Sequence, residues 1–297
     1  MHKKNVINTK TAFSFVELSI VILIIGVLVF GVIKANILVD KFRLQSAQQL
    51  TINSPVATIK NLGLWLETSL SRSFTESELI DNSAISTWND NNQRVSEYNN
   101  ATQSTEANKP LLIHNGINDV LPVVRFDGVN DFLNFDGSFL VGTDYTIFVV
   151  EQRRSSVANN YFIGATTSVT NGNLILGYFS DTVLRHSQFG SSTEINITVS
   201  AYSKPTPKIH CFTHGSASSA GKRYWGNGVN EVSNNSASRR INLSALTQAT
   251  IGRRMTSSTS YYNGDIAEVI MFSRLLTTEE RVEIERYLGK KFGIKVA

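Results

Sequence analysis

The chain has 297 residues, 41% of them hydrophobic and 18% charged, which supports one large domain with an extension and excludes a wholly disordered protein. Its single cysteine, Cys211, excludes an intramolecular disulfide and any metal site built on several thiolates. The formal charge of +4 falls to +1 without Lys3, Lys4 and Lys10, and the remaining positives form no stripe, so nucleic acid is not an expected partner.

From Leu18 to Ile33 run 16 uncharged residues, LSIVILIIGVLVFGVI; counted from Phe13 the apolar stretch has 21 residues, interrupted only by Glu17. A helix crosses the hydrocarbon core with about 20 residues, so this segment is long enough to span. The lysines ahead of it favour a cytoplasmic N-terminus and a body displayed outside. A secretory signal cut after Ala35 is the alternative. Glu17 argues against it, because an acid inside such a segment costs about 3 kcal/mol or more in lipid and calls for a charge partner.

The stretch Ala12-Phe13-Ser14-Phe15-Val16-Glu17-Leu18 resembles the processing site of type IV pilins and pseudopilins, with alanine where that family usually has glycine. The resemblance covers residues 1 to about 45. It implies cleavage between Ala12 and Phe13 by a prepilin peptidase, N-methylation of Phe13, and pairing of Glu17 with the terminal amine of another pilin-like subunit. It also implies a bacterial inner-membrane precursor with residues 1–12 as leader. The helix is expected over 13–50, because Ile37, Leu38, Phe42 and Leu44 continue one apolar stripe among charged residues. Residues 51–59 read as a linker, broken at Pro55.

Beyond it the sequence predicts short strands separated by Gly, Asn, Asp and Ser, at Leu62–Glu67, Val123–Phe126, Tyr145–Glu151, Tyr161–Gly164, Leu174–Phe179, Ile195–Val199, Ile209–Thr213 and Ile266–Phe272. Asn227-Gly228 marks a tight hairpin. A final helix is expected after Thr277, whose spacing to Glu280 is that of a capping box, with Ile284, Leu288 and Phe292 on one face. The fold class is therefore mainly β: an antiparallel sandwich over 60–297, with a long N-terminal helix and a short C-terminal one. The stretches Leu62–Glu67, Ile85–Asp90, Pro122–Gly128, Tyr145–Val150 and Gly264–Ile270, with the C-terminal helix, resemble laminin-G-like and concanavalin A-like jelly rolls over about residues 60 to 294.

Chemistry is sparse in this pattern. Glycosidases need paired carboxylates, and Asp265 and Glu268, three apart on a strand, are expected on opposite faces. His210 and His214 read as surface histidines on a strand, and Gly215–Arg223 as a loop that lacks phosphate-loop spacing. Asp127, Asn130, Asp131, Asn134 and Asp136 supply turn residues, with calcium as a cofactor expectation at Asp127, Asn130, Asp131 and Asp136. Trp65 and Trp88 fit the core; Trp225, beside the hairpin tip, is the expected sugar-stacking residue. The function expected from the sequence is a non-enzymatic pilin-like or pseudopilin-like subunit displaying a lectin-like sandwich for a structural or adhesive role, with glycan as the ligand class. The alternative is a membrane-tethered carbohydrate-active enzyme or a surface binding module that never polymerises.

Overall fold

The computed structural model describes residues 15–93, 98–165, 174–188, 194–216, 221–234, 248–254 and 260–297. Helix α1 (Phe15–Ile52) is the first element of the described residues, and the chain divides into two compact units, Met1–Arg43 and Leu44–Ala297. Among the described residues α1 is the one helix long and apolar enough to cross a membrane, over Phe15–Val32, and none of that window is buried within the protein. Here the apolar residues run round the whole helix, the pattern of a segment surrounded by lipid or of a signal sequence.

In the second unit the strands are β1 (Leu62–Glu67), β2 (Ser83–Ala84), β3 (Thr87–Trp88), β4 (Ala101–Thr102), β5 (Leu111–Ile117), β6 (Leu121–Asp127), β7 (Leu133–Phe135) and β8 (Tyr145–Arg153). They continue with β9 (Asn160–Ala165), β10 (Leu174–Ser180), β11 (Val183–Gln188), β12 (Ile195–Thr198), β13 (Lys208–Gly215), β14 (Gly221–Gly226), β15 (Val229–Asn234), β16 (Ala249–Ile251) and β17 (Asn263–Phe272), before helix α2 (Thr278–Phe292). Two antiparallel sheets result. One has the order β15-β14-β13-β8-β17-β6-β5-β2, with β1 also paired to β17; the other has the order β12-β11-β10-β9-β16-β7-β4-β3.

Alternation along the strands sorts residues into two cores. Val124, Phe126, Ile147, Val149, Phe162 and Leu176 meet between the sheets. On the other face of the first sheet, Trp65, Val123, Phe148, Ile209, Cys211 and Ile270 are covered by Ile284, Leu288 and Phe292 of α2. Val56, in a 3-10 turn at Pro55–Thr58, and Ala47, near the end of α1, join this second core. The segment 51–59, expected as a linker, is thus a packed part of the domain, because Val56 and Ile59 have apolar surface to bury there.

The predicted caps and turns are present. Thr277 accepts from the Glu280 backbone N–H while Glu280 reaches back to the Thr277 N–H, and Gly293 ends α2 in the left-handed region at φ 64°. Asn227 and Gly228 have φ of 49° and 83°, as a two-residue turn between β14 and β15 requires.

A buried ionic cluster ties α2 to the sheet. The Lys291 ammonium lies 2.8 Å from Glu268 of β17 and 3.0 Å from Glu67 of β1, all three fully enclosed. Tyr287 and the Trp65 indole N–H both donate to Glu268 at 2.8 Å, while Glu67 accepts from Ser69 and from the Leu70 backbone. Burial would raise Glu67, yet Lys291 and these donors hold it below the usual carboxylate range. Glu268 is left raised by burial, with Lys291 opposing and Glu67 adding to the rise. Replacing Lys291 by Met removes the shared cation and strands both carboxylates. The expected loss is about 3–5 kcal/mol of unfolding free energy, read from the denaturant midpoints of the unmodified chain and K291M.

Candidate functional site

The second strand face corrects one expectation. A β-bulge between Ile266 and Glu268 puts an extra residue into β17, so Ala267 and Glu268 both face α2. Asp265 lies on this same face, where Arg125 grips it with Nε at 2.7 Å and Nη2 at 3.0 Å and Gln152 donates at 2.8 Å. Sharing a face does not make the pair catalytic: Glu268 is committed to Lys291 and Asp265 to Arg125. The histidines also differ from expectation. His210 and His214 are fully buried, because they sit on the side of β13 that faces the opposite sheet.

His210 belongs to a polar network inside the sandwich. Its Nε2 is 2.7 Å from Glu151, and its Nδ1 is 2.8 Å from the Tyr224 hydroxyl. Tyr178 donates to the same carboxylate at 2.7 Å, and Tyr262 donates to its other oxygen. Burial pushes Glu151 upward, but the hydrogen bonds and charge of His210, with the two tyrosines, hold it below its ordinary value.

A cleft of about 370 Å³ opens where the segment after β1 meets the loop between β3 and β4, within the size range of ligand pockets. Arg72, Asn89, Asp90, Asn91, Tyr98 and Asn100 line it, together with Gln93. Asp90 builds the loop: its carboxylate accepts from the backbone N–H groups of Trp65 at 2.9 Å, Asn92 at 3.0 Å and Asn99 at 3.2 Å. Burial outweighs these donors and leaves Asp90 raised. Arg72 donates through Nε to Asn91 at 2.7 Å, and Gln93, oriented with its amide oxygen toward the guanidinium, accepts at 3.1 and 3.2 Å. Tyr98 stands beside them with 58% of its surface exposed. Amides supply both donors and acceptors, and an exposed ring offers a flat apolar face; together they suit a ligand with many hydroxyls and a C–H face. The run Asn89-Asp90-Asn91-Asn92-Gln93 is the sequence signal for this cleft, and only its first two residues belong to the jelly-roll resemblance.

The residues expected to act from sequence fall elsewhere. Ala12 and Phe13 lie outside the described residues; Glu17 lies in the first turn of α1. Trp225 does not stand at an open loop edge. It is half-buried against the second core, with the Arg281 guanidinium 4.5 Å above its ring, because its position on β14 faces α2. In the proposed calcium cluster, Asp127 Oδ1 accepts from the backbone N–H groups of Val129 and Asn130 at 2.7 and 3.1 Å, and Asp131 accepts from that of Asp127 at 3.0 Å. Asn130 donates to the Ala107 carbonyl, and Asp136 accepts from the Ser138 N–H. Among the described residues no three His, Cys, Asp or Glu side chains are grouped to hold a metal ion. These oxygens shape turns.

No family model matches the chain, and no curated protein matches it. Solved structures do. A Trypanosoma rangeli sialidase in complex with sialic acid superposes with a TM-score of 0.52 at 14% identity, covering 81% of this chain and 35% of that one. The same sialidase in complex with 2,3-difluoro-KDN gives 0.53 at 13% identity, covering 87% and 39%. A mutant of it displaying trans-sialidase activity gives 0.53 at 12% identity, with the same coverage. At this identity the likeness establishes the β-sandwich fold, and the chain spans little more than a third of the length of these neighbours. The neighbours correct the function expected from the sequence. They are sialidases, so the expectation of a non-enzymatic pilin-like subunit and the exclusion of enzyme activity are withdrawn.

Burial, with the Asp127 carboxylate adding to it, pushes Asp131 up to about 7 from its ordinary 3.8. The folded state then holds a proton that the unfolded chain has released, so Asp131 favours folding below about pH 4 and that contribution is lost as pH rises to about 7. In D131N this part of the pH dependence should vanish; stability curves of the two proteins that stay parallel from pH 4 to 7 would refute the shift.

Proposed function

We propose that the chain is a carbohydrate-active β-sandwich module held at a membrane by α1, with its glycan seated in the cleft between Arg72 and Tyr98. The observation that carries this reading is the cleft itself: a guanidinium, amides of four side chains and an exposed tyrosine ring around one opening, on a loop pinned by Asp90. The sialidase neighbours of the fold support the ligand class. Lys3, Lys4 and Lys10 before the apolar window support a cytoplasmic N-terminus and an external sandwich.

The test is glycan-array binding by the full chain in lipid nanodiscs. Binding to at least one neutral glycan class is expected, and Tyr98→Ala should weaken it at least tenfold while leaving the thermal midpoint in place, since the ring is exposed. Absence of any bound glycan, or equal binding by Y98A, overturns the cleft assignment. Release of reducing sugar from the bound glycan then distinguishes a hydrolysing module from one that only holds its ligand.

The tether has its own measurement. Intact mass of the protein extracted from membranes should correspond to a start at Met1 or at Phe13, both of which keep the apolar window. A mature chain beginning at Asn36 would show that the segment is a removed signal.

A further inference from the structure

A second cleft, of about 210 Å³, shares no residue with the first and has a different charge. Arg153, Tyr178, Tyr202, Lys204 and Lys208 line it, with Ser200 at the rim. Its floor is Arg153, the last residue of β8 and nearly enclosed. The guanidinium donates to the Asp181 carbonyl at 2.8 Å and the Ser200 carbonyl at 2.6 Å, pairs with the Asp181 carboxylate at 3.2 Å, and lies 4.3 Å from the centre of the Tyr178 ring. The hydroxyl of Tyr178 is in turn held by Glu151 of the interior network. Asp181 also accepts from the Tyr202 backbone N–H at 2.8 Å, and this pins the segment after β12 that carries Tyr202 and Lys204.

Two features of this cleft go unused by the fold. Lys204 is exposed and Lys208 half-buried, and neither ammonium has a carboxylate partner among the described residues. Tyr202 is half-buried at the same wall, 5.7 Å from the Arg153 guanidinium. The acids nearby among the described residues are Asp181, spent on Arg153; Glu151, opposite Lys208 in the sheet and spent on His210, Tyr178 and Tyr262; and Glu231, which lines an adjoining recess with Lys208 without pairing to it. An aromatic wall beside two unneutralised cations, on a floor fixed by buried hydrogen bonds, is a preorganised seat for a ring that carries an anion.

We infer that this cleft binds an acidic saccharide, with the sugar carboxylate on Lys204 and Lys208 and the ring against Tyr202. The inference rests on reading the sandwich as carbohydrate-active and names a ligand class for a separate site.

The experiment compares methyl glucuronide with methyl glucoside, which differ in the carboxylate, by titration calorimetry on the full chain in neutral-lipid nanodiscs. The glucuronide should bind at least tenfold more tightly, and the ratio should shrink severalfold between low and high salt, as exposed charges are screened. A Lys204→Met, Lys208→Met double variant should lose the preference with an unchanged thermal midpoint, and the corresponding double arginine variant should keep it. Tyr202→Ala should weaken both sugars and leave their ratio. Equal affinity for the two sugars overturns the inference, as does a preference that survives the double methionine variant. Sodium acetate that displaces the glucuronide at equal concentration would make the site a bare anion site and overturn the saccharide assignment. Tyr98→Ala separates the two readings: if neutral-glycan binding is absent while glucuronide binding persists in Y98A, the first cleft fails alone; if glucuronide binding is absent while Y98A abolishes neutral-glycan binding, the second fails alone.

Discussion

The Lys291 ammonium between Glu67 and Glu268 is the contact from which much of the domain is organised. Three charges without water are tolerable only when each is paired and its remaining oxygens are hydrogen-bonded, and here they are. The cluster fixes α2 on the sheet through Tyr287 and fixes β1 on β17. Its reach extends further through Glu67. The Glu67 carboxylate gathers Ser69, Leu70 and Ser73, and the backbone carbonyl of Glu67 accepts from the Trp88 indole at 2.8 Å. Arg72 lies inside that gathered turn, so the guanidinium of the first cleft is positioned by an ion pair on the far side of the sheet. Gln48 and Thr51, at the end of α1, also reach Ser69, which joins the helix terminus to the same turn.

The two clefts are held by the same device at different places. A carboxylate fixes a loop that has no regular hydrogen-bond ladder of its own: Asp90 accepts three backbone N–H groups at the first, and Asp181 accepts the Tyr202 N–H and pairs with Arg153 at the second. What each loop then presents is set by local sequence: amides and a tyrosine from Asn89 to Asn100, lysines and a tyrosine from Ser200 to Lys208.

Much of the scaffold was legible because it depends on neighbours close in sequence. Short β-type runs bounded by Gly, Asn, Asp and Ser gave β1 at its full extent and the cores of β8, β10, β13 and β17, and the Thr277 to Glu280 spacing gave the start of α2. The two-residue strands β2, β3 and β4 carry too few residues for a pattern and exist only through pairing with distant strands of their own sheet. Face assignments failed where long-range geometry decides them. One bulge in β17 reversed the relation of Asp265 to Glu268, and the second sheet turned His210 and His214 from surface residues into interior ones. The clefts were hidden for a related reason. Their residues come from segments that are polar and irregular, so nothing in periodicity marks which side chains converge, and a conspicuous tryptophan at a hairpin drew the sugar-stacking role that its place under Arg281 denies it.

Cys211 gains a use from its location on β13 beneath α2. The thiol is fully enclosed, and burial, reinforced by the nearby Glu285 carboxylate, keeps it protonated far above its ordinary range. A thiol in that state reacts with alkylating reagents only when the covering helix lifts, so the labelling rate of the unmodified chain is a clock for the opening of α2. Because no other cysteine exists to compete, every label counted reports that one event.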